Sequence, residues 1–335
     1  MTAFELYLRR HHKKFDAYLA DFFDNGTHAD MRRYLYGPLG EYTKNAGKRH
    51  RPLICLLACE AVGGEPKRAW PSAAAIEHFH TAALIHDDIM DSSLTRRGEP
   101  CLHIREGEGL AINAGDLALS LVTGTVVSDE GLPAETRLRV LRELVDMTTR
   151  TIEGQALDIG WARDDRFDLS VDDYLLMANH KTAYYSGAVP LAVGSIIGGG
   201  TEAQTEALRA FGLASGLAFQ IQDDVLNLVG TREATKKDFR SDLTEAKRTL
   251  AAVHALAHSA DRERLLVILA SRAEDPAALE EAVGIMSQAG SLDFARTYAR
   301  DLVLGAKADL EAALPKTKAR DLLLSMADFF VERDN

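Results

Sequence analysis

Apolar residues recur at three- and four-residue spacing through most of this chain, the pattern of helices that bury one face. The stretch ELYLRRHHKKFDAYLADFF (5–23) shows this spacing, and WPSAAAIEHFHTAALIHDDIMD (70–91) is apolar enough for a long buried helix with Pro71 near its start. Strand-type alternation is nearly absent. Nine prolines in 335 residues and a hydrophobic content of 46% also suit long helices around a large core. The sequence therefore predicts an all-α fold.

The same periodicity predicts further helices along the chain. They cover residues 135–159, 172–197, 205–230, 247–260, 276–290, 293–314 and 318–333. The breaks fall at Gly63–Pro66, Gly131–Pro133, Gly198–Gly200 and Gly230–Ser241, and none of them is a long linker rich in proline or serine. We therefore predict a single helical domain over residues 1–335.

Charge and cysteine content narrow the class of protein. A formal net charge of −11 makes the chain a poor general nucleic-acid binder, because phosphate binding needs a concentrated basic face. Cys55, Cys59 and Cys101 are odd in number and lack framework spacing, which indicates reduced core thiols of a cytoplasmic protein. The charged N-terminus does not resemble a signal peptide. No membrane span is expected, since the best apolar run, 187–200, is shorter than the ~20 residues required.

Two acidic motifs share one spacing. Asp87, Asp88 and Asp91 stand at i, i+1 and i+4 after an apolar helical run, and Asp223, Asp224 and Asn227 repeat that arrangement. Residues four apart lie on one helix face, so each motif forms an oxygen-rich patch at the end of an apolar helix. Oxygen ligands favour Mg²⁺ or Mn²⁺, which bridges carboxylates to substrate phosphates. DDRFD (164–168) imitates such a motif but lies among polar, loop-like residues, so we expect it to be solvated.

Basic residues complete this chemistry. NAGKRHRP (45–52) supplies Lys48, Arg49 and Arg51, Arg96 and Arg97 follow the first acidic motif, and further lysines stand at 181, 237 and 247. Guanidinium groups bind phosphate oxygens in a bidentate manner. Acidic clusters and dispersed cations in an apolar bundle point to a diphosphate that carries an apolar chain.

The chain resembles the trans-isoprenyl diphosphate synthase (polyprenyl synthetase) family. The matching residues occur in order from about residue 45 to 250: GKRHRP (47–52), HTAALIHDDIMD (80–91), RRG (96–98), AGD (114–116), EGQ (153–155), KTA (181–183), FQIQDD (219–224), and Lys237, Asp242 and Lys247. The resemblance implies the isoprenoid synthase type I fold, a bundle of long helices around a central cavity, and a homodimer. It implies an enzyme that condenses isopentenyl diphosphate with an allylic diphosphate (dimethylallyl, geranyl or farnesyl).

The resemblance also implies roles for individual residues. Three Mg²⁺ ions, which Mn²⁺ could replace, would be bound by the two acidic motifs. Their ligands would be Asp87, Asp88, Asp91, Asp223, Asp224 and Asn227. Isopentenyl diphosphate would be bound by Lys48, Arg51, His80 and Arg97, and the allylic diphosphate by Arg96, Lys181, Lys237 and Lys247. Lys181, Thr182 and Gln220 would line the reacting carbons. The released diphosphate is the family's usual proton acceptor, so no protein base is assigned.

Some positions depart from the family pattern. Asn227 ends the second acidic motif where an aspartate is more usual, and Thr231 stands where an acid is common. Arg240 and Ala246 replace frequent glycines near Lys237 and Lys247. These departures put in doubt the geometry of the loop rather than the family resemblance.

Product length is predicted from the helix that carries Asp87. Ala82 and Ala83 are small where family members that stop at farnesyl tend to have an aromatic residue. The first obstruction is Phe79, about one turn (~6 Å) deeper. We therefore predict geranylgeranyl diphosphate or a somewhat longer product, with Phe79 as the floor.

Two other functions compete with this one. A class I terpene cyclase shares the first acidic motif but needs neither GKRHRP nor His80 for a second substrate. A non-catalytic partner subunit of a heteromeric prenyl synthase tends to lose the aspartates of these motifs. This chain keeps five of the six acidic positions.

Overall fold

The protein is described by a computed structural model that covers residues 1–23, 25–44, 47–230 and 240–331. Helices dominate these residues. In the first half they are α1 (Ala3–Ala20), a 3₁₀ turn (Asp21–Phe23), α2 (Ala29–Met31), a π-helical turn (Arg32–Tyr36), α3 (Gly37–Lys44), α4 (His50–Ala61), a second 3₁₀ turn (Pro66–Ala69), α5 (Trp70–Met90), α6 (Leu102–Glu106), α7 (Glu108–Val127) and α8 (Ala134–Arg163). The strands β1 (Thr95–Arg96) and β2 (Glu99–Pro100) form an antiparallel hairpin after α5.

The second half is also helical. Its elements are α9 (Val171–Ala178), a π-helix (Asn179–Ala188), α10 (Val189–Gly198), α11 (Glu202–Val229), α12 (Ser241–Thr244), α13 (Leu250–His258), α14 (Arg262–Ala270), α15 (Pro276–Gln288), α16 (Ser291–Ala313) and α17 (Lys318–Val331). The predicted all-α class is therefore confirmed. The long periodic segments match helices to within a few residues, because each presents an apolar stripe to a core.

Local capping explains several helix starts. Thr2 and Glu5 form a reciprocal capping box at α1: the Thr2 hydroxyl accepts from the Glu5 N–H, and the Glu5 carboxylate accepts from the Thr2 N–H. Ser170 and Asp173 repeat this arrangement at α9. The Asp275 carboxylate accepts from the Ala278 N–H at α15. These side chains satisfy backbone donors that the first turn leaves unpaired.

The chain divides into two compact units, which alternate along the sequence. Unit 1 comprises Met1–Asp146, Val189–Glu206 and Leu314–Leu323, and unit 2 comprises Met147–Ala188, Ala207–Ala313 and Leu324–Asn335. In unit 1, Leu39, Ala82 and Leu102 share a buried apolar cluster with three alanines of α7. In unit 2, α13, α14, α15 and the start of α16 enclose a second cluster that includes Leu265. The prediction of a single domain stays a prediction.

The helix most compatible with a membrane span is α7, not the stretch at 187–200. Its 20 residues have a mean hydropathy of 1.5 and satisfy the length and composition of a span. Core helices pass the same test, and α7 buries Ala111, Ala114 and Ala118 in the cluster of unit 1. Polar residues such as Asn113 and Asp116 interrupt the apolar run of α7, so the sequence pattern alone does not indicate a span there. The three cysteines are buried and unbridged, as predicted.

Candidate active site

The first acidic motif lies at the C-terminal end of α5. Asp87 and Asp88 belong to its last turn, and Asp91 caps the helix by donating its N–H to the Asp87 carbonyl at 2.8 Å. Their exposures differ sharply: Asp88 is 1% exposed, Asp87 is half-buried and Asp91 is exposed. Asp87 and Asp91 lie four residues apart on one helix face and reach solvent together. They are therefore the two carboxylates of this motif best placed to meet a metal ion and its water.

Asp88 instead holds the surrounding structure together. The Tyr42 hydroxyl donates to one carboxylate oxygen at 2.9 Å, and Arg96 Nε donates to the other at 2.5 Å. Burial and the adjacent Asp88 carboxylate raise the pKa of Tyr42. Burial opposes the charge of Arg96, but the Asp88 carboxylate outweighs it and raises the pKa of Arg96. Asp88 therefore fixes Arg96 beside the motif, and direct metal binding by Asp88 stays a prediction.

The two arginines of the β-hairpin, Arg96 and Arg97, contact different parts of unit 1. Arg97 and Gly98 occupy the turn with φ of +55° and +87°, the left-handed values that a tight two-residue hairpin requires. Arg96 contacts Asp88, whereas the guanidinium of Arg97 lies over Gly47, where a Cβ would stand 3.2 Å from Nη2. The RRG and GKRHRP motifs are therefore brought together within unit 1. Burial lowers the pKa of Arg97.

The basic residues of GKRHRP differ in role. Arg49 is buried, donates to Asp16 at 2.6 Å and to Glu77 at 2.5 Å, and also bonds the Thr43 carbonyl. Such a compensated guanidinium is a structural element of the fold. Arg51 is also buried, and its Nη1 lies 3.2 Å from His80 Nε2.

Burial, together with the charge of Arg51, lowers the pKa of His80 well below its ordinary value. The neutral ring then accepts the Arg51 N–H at Nε2 and carries its own proton on Nδ1. Lys48 is exposed. The predicted set of Lys48, Arg51, His80 and Arg97 is thus found in one unit.

The second acidic motif ends α11 in unit 2 and repeats the arrangement of the first. Asp224 is 9% exposed and accepts from the Tyr174 hydroxyl at 2.9 Å and from Gln220 Nε2 at 2.7 Å. Asp223 is half-buried. Burial, and next the charge of Asp242, raise the pKa of Asp224 to about 8, against the two hydrogen bonds that lower it.

Asn227 makes two hydrogen bonds to the start of α12. Its Nδ2 donates to Ser241 Oγ at 3.1 Å, and its Oδ1 accepts from the Asp242 N–H at 3.2 Å. The amide therefore ties the end of α11 to α12. Metal binding by Asn227 stays a prediction, and in this structure its carbonyl oxygen already accepts a backbone hydrogen bond.

The loop departures have a geometric explanation in the described part. Arg240 and Ala246 have φ of +57° and +52°, the left-handed region in which glycine is favoured. Arg240 offsets this cost by pairing with Glu280 at 2.6 Å and donating to the Leu228 carbonyl at 3.2 Å. The backbone therefore keeps the turns that glycines would allow. Thr231 and Lys237 lie outside the described residues.

A cavity of about 80 Å³ in unit 2 brings several predicted residues together. Its lining includes Lys181, Thr182, Gln220, Asp224 and Lys247. The lining also includes Asp158, Tyr174 and Asp242. The sequence motifs did not predict Asp158 or Tyr174 as site residues. Asp158 follows EGQ by three residues, a spacing that could have drawn attention to it, whereas the hydrogen bond between Tyr174 and Asp224 crosses fifty residues of sequence.

Lys181 is held by an ion pair with Asp158. It lies in the π-helix at 179–188, which inserts an extra residue into a helical turn and is frequent at functional sites. A Cβ on Gly154 would stand 2.2 Å from the Lys181 backbone nitrogen, so only glycine in the EGQ motif permits this approach. The Lys181 ammonium is therefore placed both by its backbone and by a carboxylate.

Lys247 is held in a similar way. Its ammonium lies 2.9 Å from Glu245 and 3.4 Å from Asp242. Burial opposes the charge of Lys247, but the two carboxylates outweigh it and raise the pKa of Lys247. Both lysines are thus half-buried and paired with carboxylates.

The donor set fits a hard divalent cation. Among the residues that the structure describes, no three His, Cys, Asp or Glu side chains converge as a ready-made metal cage. Mg²⁺ does not need one, because it typically takes one or two carboxylates, substrate phosphates and water. Asp87 and Asp91 would supply such a pair in unit 1. The motif DDRFD (164–168), called the decoy motif below because it imitates a metal site, has no such pair of available carboxylates. Exposed Asp164 accepts a hydrogen bond from Arg163, and exposed Asp168 accepts one from Arg166.

Comparisons with known proteins agree with this geometry. The sequence profile "Polyprenyl synthetase" matches residues 32–286. A short chain isoprenyl diphosphate synthase of Methanothermobacter thermautotrophicus is 43% identical over 291 residues, covering 86% of this chain and 87% of the relative. A geranylfarnesyl diphosphate synthase of Natronomonas pharaonis is 40% identical over 305 residues, covering 86% of each. The crystal structure of a geranylgeranyl pyrophosphate synthetase from Pyrococcus horikoshii matches with a TM-score of 0.91 at 34% identity, covering 99% of this chain and 98% of that one.

These relatives are isoprenyl diphosphate synthases, and the helical fold with carboxylates at a helix end agrees with them, so the chain is a trans-prenyltransferase. The chain belongs to the polyprenyl synthetase family, the trans-isoprenyl diphosphate synthases. Enzymes of this family need a divalent metal ion.

The raised pKa of Asp224 makes stability depend on pH. The proton stays on the folded carboxyl far above the ordinary pKa of 3.8, so stability is full below about pH 4 and falls as pH rises through about 8. We expect the free energy of unfolding of wild type to fall by on the order of 2 kcal/mol between pH 6 and 9, relative to that of Asp224→Asn. Thermal unfolding without added metal measures this difference. Exposed Asp301→Asn is the control and should follow wild type. Parallel pH profiles of wild type and Asp224→Asn would contradict this account.

Proposed function

We propose that this enzyme condenses isopentenyl diphosphate with an allylic diphosphate in the presence of Mg²⁺, giving geranylgeranyl diphosphate or a somewhat longer trans-prenyl diphosphate. The observation that carries the proposal is the presence, within unit 1, of two separate anion-handling features. One is the solvent-facing pair Asp87 and Asp91, suited to a metal–diphosphate. The other is the buried pair of Arg51 and neutral His80, beside which Arg97 adds a second guanidinium. Two diphosphate substrates need two such features.

The chain's own residues then act as follows. Arg51, His80, Arg97 and Lys48 bind the diphosphate of isopentenyl diphosphate by charge-assisted hydrogen bonds. Arg96 and Lys181 bind the allylic diphosphate and stabilise the negative charge that it gains as its C–O bond breaks. Apolar walls keep water from the allylic cation.

The double bond of isopentenyl diphosphate forms the new C–C bond with that cation. A proton then leaves to the released diphosphate, which balances the reaction. Gln220 and Thr182 would lie beside the reacting carbons, and Lys237 and Lys247 would close over the allylic diphosphate.

Divalent metal would neutralise the departing diphosphate. We assign it to Asp87, Asp91 and Asp223, with Asp88, Asp224 and Asn227 in support, as three Mg²⁺ ions that Mn²⁺ could replace. Ordered, buried Asp88 and Asp224 would keep the exposed members of each motif in place. The buried, unbridged thiols support a cytoplasmic location.

Removal of either solvent-reaching aspartate of the first motif, half-buried Asp87 or exposed Asp91, tests the assignment. Purified Asp87→Ala and Asp91→Ala should each lose about a hundredfold or more in kcat, because the developing charge loses a metal-borne partner. Asp164→Ala and Asp168→Ala are matched controls from the decoy motif and should retain full activity. The assay is extension of dimethylallyl, geranyl and farnesyl diphosphates by isopentenyl diphosphate, read by mass spectrometry with and without EDTA.

The outcomes of that assay are distinct. Product that is abolished by EDTA and by the Asp87 or Asp91 change supports the proposed synthase. Absence of elongation with every primer in the wild-type chain would instead favour the non-catalytic partner subunit. Conversion of a prenyl diphosphate to a hydrocarbon without isopentenyl diphosphate would favour a terpene cyclase.

Product length is proposed to depend on α5. Phe79 is 3% exposed and lies two turns below Asp87, and Ala83, one turn below it, is half-buried. Ala82 instead packs into the apolar cluster with α7, so its small size serves packing rather than a growing chain. Of the two alanines, Ala83 is therefore the better candidate for the wall.

Three substitutions separate these roles. Phe79→Ala should lengthen the product by at least one isoprene unit, because it removes the floor, and Ala83→Phe should shorten it. Ala82→Phe should lower thermal stability by about 1–3 kcal/mol through overpacking, without a shortened product. Chromatographic sizing of products and thermal unfolding provide the readouts. An unchanged product from both Phe79→Ala and Ala83→Phe would exclude this face of α5 as the determinant.

A homodimer is proposed from one face of α8. Leu138, Val145, Ile152 and Ile159 recur every seven residues and are 41–60% exposed. A regular apolar stripe of this kind suits a symmetric contact with the same helix of a second copy. We expect Ile152→Lys to shift the sedimentation mass from dimer to monomer. Val267→Lys, at a similarly exposed single position on α14, is the control and should leave the mass unchanged. A wild-type monomer would refute the dimer.

A further inference from the structure

A second groove lies in unit 1, apart from the residues assigned to catalysis. It has a volume of about 470 Å³ and is bounded by α1, α4, the 3₁₀ turn at Pro66–Ala69 and the start of α17. An adjoining depression of about 330 Å³ shares Lys14, Lys67 and Trp70 with it. A groove of a few hundred Å³ with apolar walls and a few polar groups has the character of a small-molecule site.

The floor of the groove is aromatic. Phe15 is fully buried and stands 5.8 Å, centroid to centroid, from Trp70, which is half-buried. Tyr7 stacks on His11 at 4.4 Å, and burial followed by the charge of Glu60 raises the pKa of Tyr7. Aliphatic side chains, among them Leu53, complete the walls. Such a surface favours an apolar chain.

The rim of the groove is basic. Arg10, Lys14, Lys67 and Lys318 bring four permanent cations, against the single carboxylate of Glu60. Burial lowers the pKa of His11, so this ring adds no charge at neutral pH. The groove therefore has a net charge of three positive, on a chain whose formal net charge is −11. Lys14 lies 5.3 Å from the centroid of Trp70, which places a cation directly over the aromatic floor.

We propose that this groove binds a soluble single-chain amphiphilic anion, with an apolar chain on the aromatic floor and a phosphate or diphosphate head among the lysines. Three positive charges match such a head better than a singly charged carboxylate. The concave shape favours a monomeric chain over a flat membrane surface. Binding to this groove can be measured without catalytic turnover. The binding test can therefore fail while the proposed synthase activity is confirmed, and binding can be found in a chain that shows no synthase activity.

Trp70 offers a local probe. Trp161 is the second of two tryptophans, so Trp161→Phe leaves Trp70 as the sole reporter. Farnesyl monophosphate, titrated in EDTA below its micelle concentration, should change Trp70 fluorescence saturably. Lys67→Gln and Arg10→Gln in that background should each weaken binding about tenfold, as expected for loss of one charge-assisted contact. Lys13→Gln, next to Lys14 but outside the groove, is the matched control and should bind normally.

Other ligands separate head, chain and source. Inorganic phosphate and farnesol should each bind far more weakly than farnesyl monophosphate, because each lacks one half of the recognition. A response to vesicles of anionic phospholipid, without one to the monomer, would overturn the proposal in favour of membrane binding. Equal binding by Lys67→Gln and wild type would also overturn it.

A second readout avoids the tryptophan change. Hydrogen exchange on the wild-type chain should show that farnesyl monophosphate protects the amides of α1 in EDTA. Absence of protection there would contradict the proposal even where the Trp161→Phe variant fails to fold.

Discussion

Both acidic motifs depend on one constraint: a carboxylate buried at the end of an apolar helix must have partners. In each motif the second aspartate is the buried one, and in each a tyrosine hydroxyl donates to it at 2.9 Å. The other donor is Arg96 for Asp88 and Gln220 for Asp224. This shared anchoring orients the last helical turn. In the first motif Asp87 and Asp91 reach solvent, whereas in the second Asp223 and Asn227 are half-buried.

The two motifs differ in charge compensation, with consequences for their chemistry. Asp88 has a guanidinium beside it, which neutralises its charge within the fold. In the described part of the chain the donors to Asp224, Tyr174 and Gln220, are neutral. Burial and the negative charge of Asp242 therefore raise the pKa of Asp224. A divalent cation arriving near Asp224 would supply the missing positive charge. Such a cation would displace the proton that the Asp224 carboxyl holds.

Ion pairs also place the lysines before any substrate is bound. Asp158 holds Lys181 on the π-helix, and Glu245 and Asp242 hold Lys247 after the left-handed turn at Ala246. Both lysines line the cavity of unit 2. Arg49 is the contrasting case, because its buried guanidinium pairs with buried Glu77 and with half-buried Asp16.

The sequence by itself determined the helical class, the extent of the long helices, the family and the identity of the acidic and basic motifs. Helical periodicity and short motifs are local, so they can be read without knowing what packs where. Tertiary structure decided which member of each motif is buried. Arg49 and Arg51 stand two residues apart, yet only their partners show that one is structural and the other pairs with His80. Tyr42 and Tyr174 could not be predicted for the same reason, since their partners Asp88 and Asp224 are brought close only by packing. Asp158 had one local signal, its position three residues after EGQ. The groove around Trp70 likewise combines residues from distant segments, and no local pattern could have predicted it.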